Sequence, residues 1–174
     1  MPNYVNTRLT VTGDPEQIDA LLAQCFSERE DYGRIALGLD FERIVPYPAD
    51  FDSYNGEAQY RWRCDHWNTK WNACEQSTAR SAPDTLHAYF DTAWDFPTPC
   101  ILALVDRFPA LHFKGTAIED SKSFVVMFDG ADIRWYELDG DDFEELWDCD
   151  DEFEWVEDYV RKLEQEIAEP IIII

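Results

Sequence analysis

The chain has 174 residues, with 37 acidic side chains against 14 Lys and Arg, and its formal net charge at pH 7 is −23. Hydrophobic residues make up 45% of it, which is enough for a folded core and argues against wholesale disorder. Such a charge repels a phosphate backbone, so we expect no direct nucleic-acid partner. No apolar run approaches the roughly 20 residues of a membrane helix, and the start lacks signal-peptide blocks, so we predict a cytoplasmic protein without a membrane segment.

The first predicted elements are a strand and a helix. Apolar residues alternate over residues 5–11, which is typical of a half-buried strand. Asp14 is a suitable helix N-cap, and Pro15 fits the first helical position. Apolar residues then recur at helical spacing over residues 18–26.

The middle of the chain is harder to interpret. Residues 41–45 form a short apolar run and predict a second strand, which Pro46 ends. Residues 49–58 resemble a loop, with Asn55-Gly56 as a turn signal. No single period fits residues 59–80, which are rich in tryptophan.

The strand-helix-strand pattern then recurs. Alternation over residues 86–94 predicts a third strand, residues 101–108 a short helix, and residues 111–118 a fourth strand. A hairpin follows, with strands at 123–128 and 131–138 around an Asp129-Gly130 turn. Two β-α-β units predict an α+β fold, a ferredoxin-like split β-α-β sandwich with an added β-hairpin and a C-terminal acidic amphipathic helix.

The predicted domain organisation has two parts. Residues 1–138 form the ferredoxin-like α+β domain, with a Trp-rich insertion at about residues 49–82. Residues 139–174 form an acidic helical segment that packs on this domain. The sequence leaves open the role of the tail at residues 171–174, and it does not indicate an oligomeric state.

The acidic segment carries most of the charge. Residues 137–174 hold sixteen acids and two bases, so −14 of the net charge lies there. Apolar residues recur at helical spacing from Leu146 to Ile167 and predict an amphipathic helix. Its acids either form a partner-binding face or serve solvation alone. The predicted acidic face comprises Asp141, Asp142, Glu144, Glu145, Asp148, Asp150, Asp151, Glu154, Glu157 and Asp158.

One segment has the opposite character. Residues 61–71 carry a net charge of +2 within this acidic chain and hold three tryptophans. Such a mixture can stack a planar group and pair with an anion, although the same side chains could instead fill the core. The predicted ligand groove comprises Arg61, Trp62, Arg63, Trp67, Lys70, Trp71 and Trp94.

Catalytic and metal motifs are weak. The five cysteines are scattered and odd in number, which favours free thiols. Cys64 and His66 lie too close in sequence to predict a nucleophile and base that converge, and they match no zinc spacing. Asp148, Asp150 and Glu152 imitate the start of a calcium loop, but Phe153 and Tyr159 stand where Gly and Glu are needed. We therefore predict no catalytic residues, no metal and no cofactor, and keep a Cys64/His66 hydrolase as an alternative.

Four stretches together resemble the YubB-like family of plasmid- and phage-borne proteins. They are NTRLTVTG at residues 6–13, FERIVPYP at 41–48, HWNTKWNAC at 66–74 and FDTAWDFPTP at 90–99. The resemblance covers roughly residues 3–130 and implies a ferredoxin-like domain. It implies no biochemical activity and no catalytic residues, but it does imply a mobile-element setting, in which proteins often act against host defences.

These observations predict a non-enzymatic binding or inhibitor protein. Its acidic face would engage a basic, nucleic-acid-handling partner, such as a host nuclease or a CRISPR effector, and would mimic nucleic acid as an anti-defence or anti-CRISPR protein. The alternative is a ligand- or peptide-binding module that uses the aromatic-basic segment at residues 60–74.

Overall fold

The computed structural model describes residues 3–31, 33–51, 55–138 and 151–168, which form an α+β fold. In chain order the described elements are β1 (Tyr4–Gly13), α1 (Pro15–Cys25), β2 (Phe26–Asp31), β3 (Arg34–Leu39), α2 (Phe41–Ile44), α3 (Gly56–Trp67), β4 (Cys74–Ala82), β5 (Thr85–Ala93), α4 (Thr98–Arg107), β6 (Leu111–Glu119), β7 (Phe124–Asp129), β8 (Asp132–Glu137) and α5 (Glu152–Ala168). None of the helices in these residues is long and apolar enough to cross a membrane.

Six strands form one sheet in the order β4-β5-β1-β6-β7-β8, and each neighbouring pair is antiparallel. It follows that β1 and β4 run in the same direction on either side of β5, and that β5 and β6 do so on either side of β1. Helix α4 connects β5 to β6, and α1 begins the connection from β1 to β4. Each β-α-β unit is therefore split by an intervening strand. The other two strands, β2 and β3, form a separate hairpin.

The first strand and helix are confirmed. Residues of β1 alternate between buried and half-buried. The Asp14 carboxylate caps α1 by accepting hydrogen bonds from the backbone N–H groups of Glu16, at 2.9 Å, and Gln17, at 3.4 Å. Pro15 occupies the first turn, where its missing N–H costs nothing. The strand at 86–94, the helix at 101–108 and the strand at 111–118 also form, as β5, α4 and β6.

Apolar side chains pack on one face of the sheet and on part of the other. On one face, β1, β5, β6 and β7 pack against α1, α2 and α4, with a core that includes Val5, Leu9, Ile18, Phe90, Leu104, Phe113 and Phe128. On the other face, α5 packs Val156 and Val160 against Ile118 and Val125. Burial of both apolar seams orders α5 on the β6–β8 part of the sheet.

The strand predicted at residues 41–45 is wrong, because these residues form α2. The Asp40 carboxylate caps this helix by accepting from the backbone N–H of Glu42 at 3.1 Å. Phe41 and Ile44, three residues apart, are both buried, which is helical rather than alternating spacing. The strand that completes the first β-α-β unit is instead β4.

The segments on either side of α2 also differ from prediction. The residues between α1 and α2, for which the sequence predicts no helix or strand, form the β2–β3 hairpin. Asn55 caps α3 instead of forming a turn, since its side chain accepts from the Ala58 N–H at 3.0 Å. Residues 59–80 divide between α3 and β4. Strand β4 lies at a sheet edge and is exposed at alternate positions, so its polar sequence lacks the apolar alternation of a buried strand.

The predicted hairpin at 123–138 forms as β7 and β8, with its turn one residue later than expected. Asp129 pairs with Asp132, so Gly130 and Ala131 form the two-residue loop. Gly130 has φ +60°, a left-handed conformation that glycine adopts without steric cost.

We expect the substitution Gly115→Ala to lower the free energy of unfolding by about 1–3 kcal/mol, measured by urea denaturation. A Cβ at this position in β6 would lie 2.2 Å from the carbonyl oxygen of Arg8 and 2.4 Å from the Phe128 ring. The matched control is Gly56→Ala, because a Cβ there has no neighbour within 4 Å. Equal stability of the two variants would contradict the close packing of β6 on β1.

Candidate functional site

Helix α3 places two side chains of the aromatic-basic segment in one row with the residue before it. Gln59, Arg63 and Trp67 are spaced four residues apart, so they follow one another along the same helix face. The helix ends at Asn68, which has φ +63°. Beyond it, the Thr69 hydroxyl donates to the Ala93 carbonyl and accepts from the Ala93 N–H, both at 3.1 Å. These bonds fasten the α3–β4 connection to the end of β5.

Trp67 belongs to the core. Its side chain is 1% exposed, and its indole N–H donates to the Val45 carbonyl at 2.8 Å. Its ring contacts those of Phe41, Tyr47 and Trp62, with centroid separations of 5.5–5.9 Å. Trp67 therefore anchors α3 to α2 and offers almost none of its surface to a ligand.

The predicted groove residues divide between two places and do not form one groove. Lys70 lies over the rings of Trp71 and Trp94, with its Nζ 5.2 Å and 4.9 Å from the ring centroids. Arg61 projects to the surface, where it pairs with Glu57 at 2.5 Å. Trp62 stacks on an imidazole ring of its own helix. The predicted groove residues on α3 separate because successive residues of a helix project in different directions around its axis.

A groove does form around Arg63. Two cavities, of about 330 Å³ and about 350 Å³, share Arg29, Arg63 and Asn72 in their walls. Trp71 also lines the first cavity, and Tyr47 also lines the second. Three of the seven predicted groove residues therefore line these cavities: Arg63 and Trp67 on α3, and Trp71 after it.

A buried carboxylate fixes the shared wall. Asp40 is 7% exposed and accepts hydrogen bonds from the guanidinium of Arg29 at 2.6 Å, the amide of Asn72 at 2.8 Å and the hydroxyl of Ser27 at 2.8 Å. Burial alone would raise the pKa of Asp40, but these hydrogen bonds hold it below its ordinary value. The amide oxygen of Asn72 accepts from the Phe41 N–H at 3.0 Å. Both side-chain polar atoms of Asn72 are thus hydrogen-bonded, and the orientation of the amide is determined.

Arg63 is held in place without being neutralised by any described acid. Its Nε donates to the Gln59 carbonyl at 3.2 Å and its Nη2 to the Gln59 side chain at 3.3 Å. Among the described residues it forms no ion pair. Burial raises the pKa of the nearby Tyr47, and the Arg63 charge acts in the opposite direction. The groove therefore contains a fixed guanidinium that is not paired with a described carboxylate, although Glu30 and Glu42 each line one of the two cavities with it.

Sequence reasoning missed Arg29, Asp40 and Asn72. They come from β2, the start of α2 and the α3–β4 connection, and none carries a local signal of its own. An Asn55 cap predicts a helix that begins at Gly56, and such a helix places Gln59 and Arg63 in one row.

Cys64 and His66 do not meet. Two residues apart on α3, they point about 200° apart around the helix axis. His66 accordingly stacks on Trp62, with ring centroids 4.3 Å apart, and Cys64 interacts with Tyr60. The described cysteines, Cys25, Cys64, Cys74 and Cys100, are free thiols. This geometry gives no support to a hydrolase that uses the pair.

Helix α5 presents part of the predicted acidic face. Glu154, Glu157 and Asp158 are exposed, and their spacing of three and four residues places them on one side of the helix. Asp151 has a structural role, since it accepts from the Glu154 N–H at 3.1 Å and lies 3.5 Å from Arg8. Both contacts lower the pKa of Asp151. The other predicted acids lie outside the described residues: Asp141, Asp142, Glu144, Glu145, Asp148 and Asp150.

Ion pairs and a cation–π contact fasten α5 to the sheet. Lys122 pairs with Glu152, and Arg134 pairs with Glu164. The Arg8 guanidinium lies 4.5 Å from the centre of the Phe153 ring. Glu152 and Glu164 are therefore used internally. Glu154, Glu157 and Asp158 are exposed, and Glu157 also lines cavities that contain Arg8 and Lys114 of the sheet.

Neither metal ligands nor known relatives identify the site. Within the described ranges, no group of three or more His, Cys, Asp or Glu side chains could hold a metal ion. No protein-family model, curated protein or solved structure matches the chain.

Proposed function

We propose that this chain is a binding protein whose acidic face, defined as Glu154, Glu157 and Asp158, engages a basic protein surface of the kind that normally holds nucleic acid. The observation that carries the proposal is that α5 is fixed by its apolar seam, with Val156 unexposed and Val160 3% exposed, so that these carboxylates stand on an ordered surface. An ordered row of negative charge resembles a phosphate backbone more closely than a loose acidic tail does.

Electrostatics favour a basic partner. The formal charge of −23 attracts positive surfaces over roughly a Debye length, about 8 Å at physiological salt, and raises the rate of encounter. Asp158 contacts Arg161 at 2.7 Å. Glu154 and Glu157 form no ion pair with any described base, so the charge of these two acids is available to a partner.

The resemblance described above extends this proposal to its biological setting. The partner would be a defence nuclease or a CRISPR effector, and the chain would be a YubB-like product of a plasmid or phage. We also propose that the fold is ferredoxin-like. The strand order β4-β5-β1-β6, with each β-α-β unit split by a strand, supports that classification.

We expect the substitutions Glu154→Gln, Glu157→Gln and Asp158→Asn, made together, to weaken partner binding about tenfold, since each exposed ion pair contributes up to about 1 kcal/mol. The experiment captures proteins from a host lysate at low and high salt and quantifies nucleic-acid-binding proteins released by competing duplex DNA. Capture by the wild type should decrease as salt rises.

The control carries the same loss of charge elsewhere. Glu16→Gln on α1, Asp65→Asn on α3 and Asp106→Asn on α4 remove three exposed acids from helices other than α5. If capture decreases equally in both triple variants, the loss of net charge alone explains the effect. Undiminished capture by the folded α5 variant would overturn the proposal.

A further inference from the structure

We propose that the groove around Arg63 binds a small ligand in which one anionic group, a carboxylate or a phosphate, is joined to a flat ring. This site is independent of the acidic face of α5. It combines a fixed pair of guanidinium groups with aromatic walls, and each of these features specifies part of the ligand.

The two arginines specify the anion. Arg29 uses its Nη2 for Asp40 and its Nε for Ser27, and Arg63 uses its Nη2 and Nε for Gln59. Within the described part of the chain, Nη1 of each side chain has no hydrogen-bond partner. Both groups line both cavities. Guanidinium N–H donors form their strongest hydrogen bonds with carboxylate and phosphate oxygens.

The shared wall is preorganised for this task. Asp40 holds both Arg29 and Asn72, and Gln59 holds Arg63 through a carbonyl and an amide oxygen. Ligand binding therefore does not have to order these side chains, and the associated loss of conformational entropy is small. Solubility alone does not require two cations to be oriented by several hydrogen bonds.

The first cavity specifies the ring. Its volume of about 330 Å³ falls within the range of small-molecule sites, and Trp71 lies in its wall with Ala36 and Ala73. The tryptophan ring offers a flat surface for stacking, and the two alanines leave space beside it. Cys74, Gln76 and Glu30 also line this cavity.

The net charge limits the size and charge of the ligand. A chain with a formal charge of −23 repels a polyanion such as a nucleic acid strongly, but it repels a small ligand with one anionic group much less. Asp40 neutralises Arg29, and Glu30 and Glu42 line the cavities, so the attraction comes from the Arg63 charge and from direct hydrogen bonds to Nη1 of both arginines. Such contacts can outweigh the weaker repulsion of a small anion, because a contact is shorter than the Debye length. The observations therefore favour a small anion over an oligonucleotide.

The test uses two probes and their neutral counterparts in isothermal titration calorimetry at 150 mM salt. Indole-3-acetate carries a carboxylate and is compared with indole-3-acetamide, and AMP carries a phosphate and is compared with adenosine. We expect at least one anion to bind and its neutral counterpart to bind at least about tenfold more weakly. Binding of one anion alone identifies which combination of ring and anionic group the groove accepts, and binding of both shows that it accepts either.

Substitutions place the binding in the groove. Arg63→Gln should weaken binding of the anion at least about tenfold, whereas the matched control Arg61→Gln should leave it unchanged, because Arg61 lies on the same helix but pairs with Glu57 at the surface. Ala36→Leu should also weaken binding by filling the first cavity without altering a charge. Ala36→Leu decides the outcome if Arg63→Gln fails to fold.

Three results would overturn the proposal. They are the absence of binding of both anions at 10 mM, equal binding of the anions and their neutral counterparts, and unchanged binding by folded Arg63→Gln and Ala36→Leu variants. Each result would leave the proposed function of the α5 acidic face untouched, because that surface belongs to a different element.

Discussion

Replacing Asp40 with alanine should lower the free energy of unfolding at pH 7 by about 3 kcal/mol. The loss combines a helix N-cap, about 1 kcal/mol, with buried donors left unpaired, which cost about 1–3 kcal/mol. Asp40 caps α2 and accepts from Ser27, Arg29 and Asn72 at 2.6–2.8 Å. Urea denaturation with an unchanged m-value would measure the loss as a shift in midpoint.

The pH dependence gives this prediction a second readout. The folded-state pKa of Asp40 is depressed, so its contribution is present above the unfolded pKa of about 3.9 and is lost as pH falls through the lower folded value. The stability difference between wild type and Asp40→Ala should therefore be largest at neutral pH and shrink below about pH 4. A difference that stays constant from pH 7 to pH 3 would contradict the role of the ionised carboxylate.

Asp14→Ala is the matched control. Asp14 also caps a helix, but it is exposed and accepts only from two backbone N–H groups of α1. Its replacement should cost about 1 kcal/mol, the ordinary value for an N-cap. If both variants lose the same stability, the network that joins β2, α2 and the α3–β4 connection contributes nothing beyond capping.

The sequence predicted the elements whose signals are local. Strand β1 alternates strictly, and α1 has a cap and a proline in adjacent positions, so each could be predicted without knowledge of its neighbours. The run at residues 41–45 does not distinguish a strand from a helix, because five residues fit a strand and a helical turn almost equally well. The Asp40 cap decides between them, and its effect becomes clear only with the partners that bury it.

Strand β4 shows why an edge strand is difficult to predict. It pairs with β5 on one side and leaves its other edge without a partner in the six-stranded sheet, so its side chains need not alternate between apolar and polar. The prediction consequently assigned the completion of the first β-α-β unit to residues 41–45. The α+β class could still be predicted, because the second unit and the hairpin that follows it carried clear periods.

The groove could be predicted only in part. The excess of positive charge among tryptophans points to a segment that includes Arg63, Trp67 and Trp71, which line the cavities. It could not show that Arg29, more than thirty residues earlier, would share a wall with them, because that contact depends on how the β2–β3 hairpin packs beside β4. Gln76 of β4 donates to the Leu39 carbonyl at 3.1 Å and thereby holds the hairpin there.

Replacing Trp67 with alanine should cost about 3–5 kcal/mol, the range for a large aromatic side chain removed from a core. Trp67 is 1% exposed and links α3 to the rings of Phe41 and Tyr47. Trp67→Phe keeps most of the apolar volume but leaves the Val45 carbonyl without its indole donor, so we expect a smaller loss of about 1–3 kcal/mol. Urea denaturation followed by circular dichroism measures both.

Trp94→Ala is the matched control for that experiment. The Trp94 side chain is 44% exposed, and its contacts are a cation–π interaction with Lys70 and an edge contact with Tyr60. Its loss should cost about 1 kcal/mol or less, the usual contribution of an exposed cation–π pair. If Trp67→Ala and Trp94→Ala prove equally stable, Trp67 does not anchor α3. The position of Arg63 on that helix would then not be fixed by the core. A large difference would instead separate a tryptophan that supports the groove from one that only lies at the surface.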